Sequence, residues 1–98
     1  MNFTYTLHNV RFEWNIQKYQ DNLRKHRVSF ETACETFFDP FVHWLEEEVV
    51  HDERRETIIG MTEDWTLLFV VYVLRNDVIR LISAREVTHA ERKRYENQ

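Results

Sequence analysis

Glycine, proline and cysteine occur once each in the 98 residues, as Gly60, Pro40 and Cys34. So little glycine and proline leaves no material for flexible linkers or low-complexity tracts. Glycine-rich phosphate loops, the paired-glycine dinucleotide fingerprint and the G-x-S-x-G elbow are all absent, and no cofactor is expected. A lone cysteine forms no internal disulfide, so the fold is independent of an oxidising compartment, which favours the cytoplasm. It also removes thiolate metal sites. The five histidines do not replace them: His51-Asp52-Glu53 has suitable ligand types, but neither paired CxxC nor HExxH spacing occurs. Long apolar runs are missing too, since LLFVVYVL at 67–74 is far short of the roughly 20 residues of a membrane-spanning helix. The opening NFTYTLHNV has neither the basic nor the apolar region of a secretory signal. The expectation is a cytoplasmic protein with no membrane and no metal.

An excess of basic charge is also lacking. The chain carries 13 Lys and Arg against 17 Asp and Glu, a formal charge of −4, which argues at first against a nucleic-acid partner. The excess is local. Residues 46–56, EEEVVHDERRE, hold six acids and two arginines, and without them 11 acids face 11 bases.

What is present is the material of one folded domain: 43% apolar and 14% aromatic residues over a length that supports a single core. Val10, Phe12 and Trp14 alternate with Arg11 and Glu13, the pattern of a half-buried strand. Asn15 is placed to cap a helix with Ile16, Tyr19 and Leu23 on its apolar face, His26 at the end of that face, and a stop near Arg27. Ser29 caps a second, carrying Phe30, Ala33, Cys34, Phe37 and Phe38 until Asp39-Pro40 ends it. From there the pattern turns to strands at 41–45, 57–61, 66–74 and 78–84, the last two joined across Arg75-Asn76-Asp77. The strand at 67–74 is expected to be central and covered on both faces, in an antiparallel meander. THAE at 88–91 is a capping box opening a polar helix whose apolar side is only Ala90 and Tyr95, so weak docking is expected.

Three sets of basic residues are candidates for chemistry. Arg24-Lys25-His26-Arg27 either complement a helix C-terminus or present Lys25 and His26 to a phosphate. Arg80 sits inside an apolar strand, where a charge must be paired or line a cleft, and Arg85 closes that strand. Strict alternation puts the two on opposite faces, so they share a site only if the strand twists or ends before Arg85. Arg55, in ERRE at 53–56, either enters the same cleft or pairs with neighbouring glutamates on the surface.

Taken together, FEWN, NLRKHRVSFETA, FFDP, ERRETIIG and VIRLISAREVTHAERKRYE resemble the BrnT family of bacterial toxins over about residues 10–96. The resemblance implies a single α+β domain of RelE-like fold, an antiparallel β-sheet packed against two N-terminal helices with a C-terminal helix. It implies a type II toxin that cleaves RNA and arrests translation until a cognate BrnA-like antitoxin neutralises it, with promoter DNA bound only through the antitoxin. Matched position by position, Lys25, His26, Arg55, Arg80 and Arg85 fall on the family's basic residues and Tyr95 on its C-terminal tyrosine. Asn15, Arg27 and Arg54 depart from the pattern, and Arg27 stands where glycine is common, so the turn after His26 is in question. The function expected is metal-independent phosphodiester cleavage using the RNA 2′-OH, with His26 moving protons, Lys25 in electrostatic support and Arg55, Arg80 and Arg85 clamping the phosphate. The alternative is a catalytically inactive module of the same fold that pairs with a DNA-binding partner. The acidic stretch suits a basic antitoxin segment.

Overall fold

The structure, a computed structural model, describes residues 1–98. Strand β1 (Asn2–Leu7) turns through His8-Asn9 into β2 (Val10–Asn15), which runs directly into helix α1 (Ile16–His26). Helix α2 (Phe30–Glu35) passes into a 3-10 turn at Thr36–Phe38. Strands β3 (His43–Trp44), β4 (Glu48–Val50), β5 (Glu53–Met61), β6 (Leu67–Arg75) and β7 (Val78–Glu86) follow, then helix α3 (His89–Glu96).

The seven strands form one sheet in the order β1-β2-β7-β6-β5-β3, with β4 paired to β5. Two features differ from the expected antiparallel meander. The alternation of Phe3, Tyr5 and Leu7 forms a strand at the start of the chain, and β2 joins β7 in parallel through Phe12 opposite Ile79 and Glu13 opposite Arg80. The parallel pairing follows from α1, which carries the chain away after β2 and leaves that strand's edge to one from the far end of the sequence. The expected strand at 41–45 shrinks to two residues, while that at 57–61 extends back to Glu53, so the acidic stretch becomes the β4–β5 hairpin.

With glycine spent elsewhere, the tight turns use other residues. His8-Asn9, His51-Asp52 and Asn76-Asp77 all adopt positive φ, the geometry of two-residue hairpin turns, in which Asn and Asp are the best substitutes for glycine. Gly60 has ordinary strand φ. It is required for close approach, because a Cβ there would lie 2.7 Å from Thr36 Cβ and 2.7 Å from its carbonyl oxygen.

One sheet face packs on α1 and α2. Phe12 and Trp14 of β2, Ile58 of β5, Leu68, Val70 and Tyr72 of β6, and Leu81 and Ala84 of β7 are buried there with Phe30, Ala33 and Cys34 of α2. Trp14 stacks on Tyr19 of α1 with centroids 5.7 Å apart. Each such fully buried aromatic or branched side chain stabilises the fold by about 1.5–3 kcal/mol relative to exposure. Strand β6 lies between β5 and β7, and Leu67 and Val73 on its other face are buried as well. Burial pushes the Cys34 thiol pKa up, leaving it a neutral packing group.

Candidate functional site

The placement of α1 sets the geometry. Its side towards the sheet differs from the apolar stripe in the sequence: Leu23 is 41% exposed, whereas Asn22 is 5% exposed. The reason is the free edge of β7. Strand β2 pairs with β7 only as far as Arg80, and the side-chain amide of Asn22 takes over further along. Asn22 Nδ2 donates to the Ala84 carbonyl at 2.8 Å and to the Val28 carbonyl at 3.1 Å, and Oδ1 accepts from Ala84 N–H at 3.0 Å. One side chain thus stands in for a strand and fixes α1 beside β7. A polar residue within a helix facing the sheet was the only sequence signal of this role.

As a result the C-terminal turn of α1 lies beside residues 82 and 83 of β7. Lys25 and His26, both exposed, line a cleft of about 200 Å³ with Lys18, Ile82 and Ser83. The turn after His26 is made by Arg27 itself, in the left-handed region at φ 57 and ψ 29, where its N–H closes the helix on the Leu23 carbonyl. A non-glycine residue thus occupies the left-handed geometry that favours glycine.

Strand β7 carries a bulge. Val71 of β6 faces Ser83, but the next residue, Tyr72, faces Leu81, so Ile82 is extra. The added residue shifts the alternation by one. Phe69 faces Arg85 and Val73 faces Arg80, and because Phe69 and Val73 are four residues apart on β6, both arginines and Ser83 project from the same sheet face. The expectation that alternation separates Arg80 from Arg85 is corrected by this one insertion. Thr57 lies opposite Val71, so Arg55, two residues earlier on β5, shares that face too. Arg11 joins it from β2, two residues before Glu13, the partner of Arg80. In the sequence, Arg11 shows only as the polar side of a strand. None of Arg55, Arg80 and Arg85 lines the cleft that holds Lys25 and His26; Ser83 belongs to both groups.

The arginines are not equivalent. Arg80 is nearly buried, its side chain 13% exposed, with Nη1 2.6 Å from a Glu13 carboxylate oxygen and Nη2 donating to Asn2. Arg85 lies over the Phe69 ring, 4.0 Å from its centroid, and grips Glu91 with both terminal nitrogens at 2.8 and 2.9 Å. That hydrogen-bonded guanidinium holds the Glu91 carboxyl below its ordinary range. Arg55 has only Glu53 at 4.0 Å, and its Nε is buried without a hydrogen-bond partner. Arg55 alone of the three makes no side-chain hydrogen bond, and its side chain is one-third exposed.

Helix α3 docks through polar contacts rather than the thin apolar side seen in its sequence. None of its residues is buried, and the expected capping box of Thr88 and Glu91 is formed. The Tyr95 hydroxyl donates to Asp39 at 2.6 Å, and burial beside that carboxylate pushes its pKa up to about 12. Tyr95 is thus committed as an anchor. His51, Asp52 and Glu53 do not converge with other ligand types, and nowhere are three or more His, Cys, Asp or Glu side chains arranged to hold a metal ion. No helix is long and apolar enough to cross a membrane.

A seven-stranded sheet with three helices and an arginine-bearing face defines a small α+β protein. Its fold is similar to that in the 1.1 Å crystal structure of the Brucella abortus ribonuclease toxin BrnT, with a TM-score of 0.63 and 20% identity, over 78% of this chain and 94% of that one. No curated protein matches the chain. The family model for the ribonuclease toxin BrnT of type II toxin-antitoxin systems matches residues 14–91, and the chain belongs to that family.

Proposed function

We propose that this toxin is a metal-independent endoribonuclease of RelE-like design, cutting RNA on the sheet face that carries Arg55, Arg80 and Arg85. The observation that supports this reading most is the β7 bulge, which gathers arginines that strict alternation would separate and sets Ser83 between them and the Lys25–His26 cleft. In the proposed reaction the RNA 2′-oxygen attacks the adjacent phosphorus, and the bond to the 5′-oxygen breaks. One proton leaves the 2′-OH and one reaches the departing oxygen. His26 is the proton-transfer group, since histidine exchanges protons near neutral pH, with Lys25 beside it. The guanidiniums take up the charge developing on the phosphate oxygens, Arg55 through free donors and Arg80 and Arg85 by exchanging a carboxylate for phosphate.

In the cell, RNA cutting would stop translation in the cytoplasm until a BrnA-like antitoxin binds, and promoter DNA would be met only through that antitoxin. The test is cleavage of RNA by the purified chain with EDTA present, which should persist, and a loss on the order of 10²-fold in Arg85→Ala. Normal cleavage by a folded Arg85→Ala variant would remove that residue from the mechanism.

One observation favours a second reading, a non-catalytic module: Arg80 and Arg85 already have carboxylate partners. Expression of the chain alone and beside its antitoxin separates the two. Growth arrest relieved by the antitoxin supports the nuclease, and harmless expression of folded protein supports the module.

A further inference from the structure

At the end of the sheet where β5 meets β6, the turn from Thr62 to Thr66 holds an aromatic residue that contributes little to the fold. Trp65 is 83% exposed, and its backbone lies in the left-handed region at φ 66, which non-glycine residues rarely occupy. The turn is well ordered by its own hydrogen bonds, with Thr62 N–H donating to the Thr66 carbonyl at 2.9 Å and Trp65 N–H to the Thr62 carbonyl at 3.1 Å. A large apolar side chain is therefore carried in solvent by a hydrogen-bonded turn, on a backbone better suited to Gly or Asn. Exposed tryptophans are common anchors of protein interfaces.

Trp65 lines a cleft of about 320 Å³ together with Phe38 and Met61. Glu35, Asp39 and Glu63 line it, against His8 as the one potentially basic side chain. Asp39 is occupied by Tyr95 and the Met61 N–H, and Glu35 accepts from the Glu63 N–H. That leaves the exposed Glu63 carboxylate for a partner. An acidic cleft repels nucleic acid. A chain with a net charge of −4 is also a poor complement to itself. Cationic groups pack well over an indole, and a carboxylate beside it adds to the attraction.

We propose that this cleft is a docking site for the antitoxin, with a lysine or arginine side chain lying over Trp65 and paired to Glu63. The proposal rests on the toxin-antitoxin reading, and it is independent of whether the chain cuts RNA because its test reads binding. Affinity of the antitoxin for the full chain is measured by calorimetry for the wild type, Trp65→Ala, Trp65→Asn and Glu63→Gln. Both Trp65 variants should raise Kd by about tenfold or more without lowering thermal stability, since Asn suits the left-handed backbone. Glu63→Gln should raise Kd at low salt and reduce its salt dependence. Kd within twofold of wild type for all three would overturn the proposal. So would loss of RNA cleavage in Trp65→Ala at unchanged Kd, or a self-associated wild-type chain that Trp65→Ala dissociates.

Discussion

Arg27 and Gly60 show opposite uses of the left-handed region and of glycine. Arg27 has φ 57 at the end of α1 and no ion pair, so its cost is the contact of its Cβ with the backbone. Arg27→Gly is expected to stabilise the fold by about 1 kcal/mol, read as a raised urea midpoint at unchanged slope. Some of that gain is offset by the greater entropy of glycine in the unfolded chain. Gly60 sits where φ is ordinary but Thr36 is against it, and Thr36 is buried with its hydroxyl bonded to the Ala33 carbonyl. Gly60→Ala should destabilise by roughly 1–3 kcal/mol, because both groups to be displaced belong to a packed turn. A thermal midpoint equal to wild type would show that the turn yields easily. Composition shows that glycine is scarce, but not which of the two reasons governs its single use.

Polar side chains fix the positions of helices α1 and α3 where their apolar stripes do not. Asn22 lies outside the apolar stripe of Ile16, Tyr19 and Leu23, yet its amide satisfies two backbone groups of β7 and a carbonyl after the helix. Leaving those groups buried without partners costs more than exposing a leucine. For α3, the Glu91 carboxylate receives Arg85 and caps the helix through the Thr88 N–H. Its folded pKa is lowered, chiefly by the Arg85 hydrogen bond, so its contribution is present above the unfolded carboxyl value of about 4.5 and is lost as pH falls through the lower folded value. Glu91→Gln keeps a side chain able to cap. Its stability deficit in thermal melts should therefore be full at pH 7 and shrink towards pH 3. A deficit independent of pH would mean that Glu91 acts by packing and not by charge.

Across the molecule, the carboxylate partners divide the arginines by the effect of removing them. Arg55→Ala removes a side chain with no carboxylate closer than 4.0 Å and an unsatisfied Nε, so it should leave thermal stability near wild type while lowering RNA cleavage by tenfold or more. Arg80→Ala strands the half-buried Glu13 and should lower stability by about 1–2 kcal/mol as well as activity. Melts and cleavage rates on the same preparations check both; equal melts for the two variants would contradict the difference in pairing. The central strand, the capped helices, the β6–β7 hairpin and the final capping box were legible in the residues because each depends on neighbours within a few positions. So were the basic residues, as types. Their convergence was not, since Ile82 bulges only in register against β6, Glu13 meets Arg80 only through a parallel pairing across most of the chain, and Asn22 is buried only because β2 leaves an edge of β7 free. Local periodicity records which residues can face a core. Only long-range pairing decides which side of the sheet a charge occupies and whether a carboxylate already holds it.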